Sequence, residues 1–269
     1  MSEKNVITIA SAEQLLSGRT RRDFLRIMGV GGAAVLLPSV FAACNNNDDV
    51  TGNNNGNGNN NTTPIVLNLS SDAGILNYAY ALEQLEAAYY TAVLTSAGYA
   101  GLTANEQEVI TDLQKHEVIH REFFKQVLGS GAIATISFNT TTVASLTKDA
   151  TTILSTSQLL EDTGVSAYNG AGKYLTNAAN LLVAGKIVSV EARHAAAIRD
   201  ARDLRRTTIS GTYFAGDDVV NSAGLDVKLE PSGVIASVGT LNVLVTPVSI
   251  GTQPTAKTGT TDMAAPTPA

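Results

Sequence analysis

Two stretches of this 269-residue chain pair a carboxylate with an imidazole three residues on: Glu117-Val118-Ile119-His120 and Glu191-Ala192-Arg193-His194. Residues three apart on a helix are surface neighbours, so each pair would present both groups on one side. The second pair falls in the run Thr176 to Arg205. There the apolar stripe reads Ala184, Ile187, Glu191, His194, Ile198, Ala201, in alternating steps of three and four. Glu191 and His194 thus occupy positions that belong to core residues. Burying a carboxylate and an imidazole without partners costs several kcal/mol, comparable to a small domain's whole stability. A metal ion is the simplest compensation. Two of the three histidines in the chain sit in these pairs.

The elements that would position these groups read as four helices. Ser71 and Asp72 are plausible N-caps for the first, in which Ile75, Ala79, Leu82, Glu86, Tyr89 and Val93 form one stripe. Leu76, Tyr80, Glu83, Ala87, Tyr90 and Leu94 lie beside it, and Gly98 ends the run. The second begins near Thr103, with Glu106 at capping-box spacing. It carries Val109 or Ile110, then Leu113, Glu117, His120, Phe124 and Val127 on one side and stops at Gly129-Ser130-Gly131. Residues 130–146 are rich in Thr and Ser without helical periodicity and read as a crossover. A third helix is expected from near Ser145 or Thr147, with Ile153, Ser157, Leu160, Glu161, Gly164 and Tyr168 inward. The fourth is the run to Arg205, whose arginines from Arg193 to Arg206 are expected to form a solvated face. Two short connections and one long crossover between helices two and three describe an all-α, up-down four-helix bundle over residues 64–206. Residues 207–250 are expected to be an irregular appendage packed on the bundle, and 251–269, rich in Thr, Pro and Ala, a disordered tail.

Ahead of the bundle, Thr20-Arg21-Arg22-Asp23-Phe24-Leu25-Arg26 and the weakly apolar run Ile27 to Ala43 resemble a twin-arginine export signal, making residues 1–43 a targeting segment. Phe41-Ala42-Ala43-Cys44 resembles a bacterial lipobox, with Phe41 where Leu is usual. Cys44 is the chain's single cysteine, which excludes an internal disulfide framework and a thiolate cluster. Ten asparagines between Asn45 and Asn61 make residues 44–63 a flexible tether. These resemblances imply export by the twin-arginine route, lipidation of Cys44 and a periplasmic protein anchored to a membrane. Asn45 favours the outer membrane over the inner one. A net charge of −6 gives no reason to expect a nucleic-acid partner.

Taken together, the inward groups are Glu83 or Glu86 on helix one, Glu117 and His120 on helix two, Glu161 on helix three, and Glu191 and His194 on helix four. One glutamate from each of two helices and one Glu-x-x-His from each of the others is the ligand pattern of di-iron and di-manganese bundles. Over about residues 71–205 the chain resembles the ferritin-like superfamily. It looks most like bacterial ferritin-like proteins related to desiccation-associated proteins, in Ala81-Leu82-Glu83-Gln84-Leu85-Glu86-Ala87, Leu160-Glu161-Asp162-Thr163-Gly164-Val165 and Val190-Glu191-Ala192-Arg193-His194. The gaps of 34, 44 and 30 residues from Glu83 to Glu117 to Glu161 to Glu191 match that pattern.

The resemblance implies metal ligation by Glu83, Glu117, His120, Glu161, Glu191 and His194, with Glu117 and Glu191 bridging. Glu83 is preferred to Glu86 because the family's ligand glutamate usually has a tyrosine seven residues later, here Tyr90. Glu86 is then a partner of the ligands or a substitute bridge. Tyr90 and Tyr168 are core aromatics whose hydroxyls can reach the carboxylates, and His116 is read as a solvated or supporting residue. Hard oxygen donors with one imidazole per metal suit two Fe or Mn ions. The expected function is an exported di-metal protein acting on oxygen, peroxide or Fe(II) in stress protection. The alternative is a metal-holding or structural envelope protein without turnover. Expected partners are the membrane through the anchor, a small oxidant, and a second copy of the chain in a homodimer.

Overall fold

The computed structural model of the protein describes residues 63–205 and 215–253. The export segment, Cys44, the tether through residue 62 and the tail from residue 254 lie outside the described residues. Helix α1 (Asp72–Thr95) opens on Ser71, whose hydroxyl accepts the Gly74 N–H at 3.3 Å. Helix α2 (Ala104–Leu128) opens on the capping box read from the sequence. The Thr103 N–H donates to Glu106 at 2.7 Å, and the Glu106 N–H donates back to the Thr103 hydroxyl at 3.3 Å. The helix ends at Gly129, whose φ of 52° lies in the left-handed region open to glycine.

The crossover is not wholly irregular. It contains α3 (Thr140–Leu146), capped by the Asn139 side chain, which accepts the Thr142 N–H at 3.1 Å. Val143 and Leu146 of this helix pack against the main core. Seven residues are too few to show a helical period, so the helix rests on its cap and on this docking. Helix α4 (Ala150–Ala171) starts later than expected, because Asp149 is the residue that caps it, accepting the Thr152 N–H at 2.7 Å. Helix α5 (Ala178–Leu204) is capped by Asn177. The four long helices form the bundle, with α1 packed on α2 and α4 packed on α5. Asp72 fastens the two pairs together at one end. Its carboxylate accepts from the Thr176 N–H at 2.8 Å, the Asn177 N–H at 3.0 Å and the Asn180 amide at 2.9 Å.

Two expectations are corrected here. The arginines of α5 are not all solvated: Arg199 is 4 % exposed and paired with Asp162 of α4 and with Asp218. A guanidinium tolerates such burial when carboxylates meet its planar fork. The appendage is also more ordered than expected. It contains α6 (Pro231–Gly239), and strand β1 (Ile65–Leu67) pairs in parallel with β2 (Val248–Ile250). Val234 and Val238 of α6 enter the main core, so packing overrides their strand preference, and Val243 beyond the helix enters it as well. Gly170 of α4 makes this docking feasible. The Leu229 carbonyl lies 1.8 Å from where a Cβ would stand, and the Leu229 N–H bonds the Ser166 carbonyl at 3.0 Å. The ordered chain also runs past residue 250: the Gly251 N–H donates to Leu67 at 2.9 Å, and the Leu69 N–H donates to Thr252 at 2.9 Å. Among the described residues no helix is long and apolar enough to cross a membrane.

Candidate metal centre

The bundle brings together all six residues expected as ligands. Glu83 comes from α1, Glu117 and His120 from α2, Glu161 from α4, and Glu191 and His194 from α5. The four glutamates are fully buried, and the imidazoles nearly so. Nδ1 of His120 lies 3.4 Å from Glu83, 3.4 Å from Glu117 and 2.9 Å from Glu191. Nδ1 of His194 lies 2.8 Å from Glu117, 3.3 Å from Glu161 and 3.5 Å from Glu191. Glu117 and Glu191 therefore each turn one oxygen toward one imidazole and the other oxygen toward the second. Two groups result, Glu83–Glu117–His120–Glu191 and Glu117–Glu161–Glu191–His194, each with donor atoms within 4.8 Å of one another.

These contacts are close but out of line for directional hydrogen bonds. Both Nδ1 atoms, both oxygens of Glu117 and of Glu191, and one oxygen each of Glu83 and Glu161 are buried without a hydrogen-bond partner. Buried polar atoms are ordinarily paired, and leaving one unpaired costs about 1–3 kcal/mol. A concentration of orphaned oxygen and nitrogen donors on one cluster fits a metal ion, which would satisfy them together.

The remaining oxygens of the outer carboxylates are held by tyrosines in a crossed arrangement. Tyr168 of α4 donates to Oε1 of Glu83 on α1, and Tyr90 of α1 donates to Oε1 of Glu161 on α4 at 2.5 Å. Burial and the neighbouring carboxylate, Glu161 for Tyr90 and Glu83 for Tyr168, keep both phenols well above their usual range, so they remain donors. Glu86 stands beside this set and belongs to neither group. Its Oε1 lies 3.1 Å from the point where a Cβ on Gly164 would stand, with Glu191 Oε2 3.7 Å from the same point. The glycine in mid-helix thus leaves the room that Glu86 fills. Burial and the charges of Glu191, Glu117, Glu161 and Glu83 push its carboxyl well above the ordinary range.

The cluster's electrostatics follow from five carboxyl groups and two imidazoles sharing little solvent. Burial raises Glu117 to about 8, with the Glu191 charge adding and the imidazoles opposing. Burial likewise raises Glu161 to about 7, against the pull of His194. Glu191 faces both imidazoles, and they outweigh its burial and hold it down at about 2. Burial pulls His194 down, but Glu117, Glu161 and Glu191 more than offset it and raise it to about 12. His120 is raised in the same way by Glu117, Glu191 and Glu83. Positive charge is thereby favoured where the carboxylates converge, the electrostatic demand that a cation meets.

His116, read as a solvated or supporting residue, takes the supporting part. It is exposed, yet its Nδ1 lies 2.9 Å from Nε2 of His194. The rings are nearly coplanar, at 14°, with centroids 5.1 Å apart. With the nitrogens in hydrogen-bond contact, that geometry is two rings joined edge to edge rather than stacked face to face. Partial burial and the imidazoles of His194 and His120 lower its pKa, favouring the neutral ring that can accept. Its place directly before Glu117 was the available signal, but the helix it turns toward could not be read from the chain.

Residues 71–203 match the family model described as a ferritin-like domain. Together with the bundle, that match makes this segment a ferritin-like helical domain carrying a buried carboxylate and histidine cluster compatible with metal binding. A search among curated proteins finds no match.

Proposed function

We propose that this is an exported, lipid-anchored ferritin-like protein holding two iron or manganese ions. Glu83 and His120 would serve one ion, Glu161 and His194 the other, and Glu117 and Glu191 would bridge them. The observation that supports this is the pair of buried donor groups sharing those two glutamates, with their facing atoms otherwise unpartnered. Once bound, the ions would supply redox chemistry toward oxygen, peroxide or Fe(II), in keeping with a role in stress protection. The chain's own contributions are geometric. The helices fix the ligand carboxylates, Tyr90 and Tyr168 lock the outer pair by hydrogen bonds, and full burial excludes bulk water. That same burial favours a second reading, a centre that holds metal without turnover, since all four ligand glutamates are 0 % exposed.

Metal analysis of protein isolated from its own envelope, followed by peroxide and Fe(II) oxidation assays, separates the two readings. Metal without either activity supports the second. Bound metal stabilises the native state by RT ln(1 + [L]/Kd), about 4 kcal/mol at a thousandfold excess over Kd. Prolonged chelation should therefore lower the Tm, and an unchanged Tm with metal fully removed would count against both readings. For the anchor, Cys44→Ala should release the mature protein into the soluble periplasmic fraction. Replacing Arg21 and Arg22 with Lys should stop export, and undiminished export would assign the signal to the general secretory route.

A further inference from the structure

The geometry points to His116 as a positioning residue that selects the metal-binding tautomer of His194 and makes that half of the centre the tighter one. The inference rests on the di-metal reading above. An imidazole that binds metal through Nδ1 must carry its proton on Nε2, and a second group must accept that proton to hold the ring in place. For His194 the acceptor is Nδ1 of His116, 2.9 Å away and nearly in the same plane. Nδ1 of His194 is thereby left facing Glu117, Glu161 and Glu191, with no hydrogen-bond partner of its own.

Among the described residues the other half lacks this device, for a reason visible in the chain. His116 immediately precedes Glu117 of the first Glu-x-x-His pair, and the residue in the same place before Glu191 is Val190. An isopropyl group can neither accept nor donate, so the corresponding position offers His120 no equivalent partner. The two metal positions share their bridging carboxylates and differ in how firmly their nitrogen ligand is oriented. His116 is also exposed while His194 is 4 % exposed, so it links the inner imidazole to the surface.

The test compares wild type with His116→Leu and His116→Asn in the full chain. Leucine keeps roughly the bulk and removes the acceptor. Asparagine places Oδ1 where Nδ1 of the histidine stood and restores it. Each protein is stripped of metal, shown to fold by its Tm, and titrated with Mn(II) by calorimetry, with final stoichiometry read by elemental analysis. Wild type should take two Mn(II) in two distinguishable steps. His116→Leu should weaken one step by about 10- to 100-fold and leave the other unchanged, the range typical of lost outer hydrogen bonds to metal ligands. His116→Asn should recover most of that loss. Two wild-type affinities in His116→Leu, or an Asn variant as weak as the Leu variant, would overturn the positioning role while leaving the centre itself intact. A wild-type protein that takes up neither Mn(II) nor Fe(II) would overturn the centre, and the role of His116 with it.

Discussion

The His120 and His194 halves of the centre are assembled from the same parts. Each has an outer glutamate, an Nδ1 donor and one oxygen from each of two shared carboxylates, and in each a tyrosine from across the bundle holds the outer glutamate. The correspondence extends along the chain, since Tyr90 lies seven residues after Glu83 and Tyr168 seven after Glu161. The halves part company at two positions. His116 backs one imidazole where Val190 stands before the other pair, and Glu86 follows Glu83 by three residues where Gly164 follows Glu161. The second difference is complementary: the glycine leaves the space and the extra carboxyl fills it. Helix pairing explains what is alike, because α1–α2 and α4–α5 present equivalent faces to one axis. Single side chains at the edge of those faces explain what is not.

The largest effect should come from the shared residues. Glu117→Ala or Glu191→Ala removes a donor from both halves, so metal content should fall below one ion per chain by elemental analysis. Retention of one full ion would show that the halves are independent and the bridge unimportant. Next, His120→Ala and His194→Ala should each remove one nitrogen ligand, leaving roughly half the metal of wild type. If both variants lose everything, the two ions bind as a unit and the comparison of halves loses its meaning. Tyr168→Phe and Tyr90→Phe test the crossed tyrosines. Each should lower affinity about tenfold, roughly 1.4 kcal/mol, in one titration step only and in opposite steps.

The smallest effect tests the Glu86–Gly164 difference in chelated protein. Because burial and like charge raise the folded pKa of Glu86 above its ordinary 4.5, ionising it costs stability. That cost is absent well below 4.5 and grows as pH rises above it. Glu86→Gln should therefore match wild type in acid and become the more stable protein toward neutral pH, by urea midpoint. An identical difference at both pH values would mean that Glu86 has the same pKa in the folded and the unfolded chain.

Much of this was legible in the chain. The two Glu-x-x-His pairs lie on apolar stripes, and a buried carboxylate beside an imidazole demands a partner whatever the fold. The Thr103–Glu106 box and the cap at Ser71 act within a turn or so of themselves, and local signals of that kind can be read locally. Glu83 could be preferred to Glu86 only by resemblance. In the fold, Glu83 Oε2 is turned to His120 and Glu86 is turned to Gly164. The helix at Pro231–Gly239 was hidden because its β-branched residues favour strands until the core of the bundle takes them in. Arg199 read as a surface cation until Asp162 and Asp218, 37 and 19 residues away, closed around it.

The sequence alone determined which residues share a helix face, because a helical repeat of 3.6 residues places them without reference to anything distant. It therefore determined that Glu117, Glu161, Glu191, His120 and His194 could meet, and it left Glu83 and Glu86 as alternatives for the fourth glutamate. Only the tertiary structure decided which oxygen turns to which imidazole, that the tyrosines cross between helices, and that His116 backs His194. The tyrosine contacts and the His116–His194 contact join residues 71 to 85 positions apart in the chain, and no local periodicity specifies the rotation of one helix against another. Side-chain packing across the whole bundle fixes that rotation.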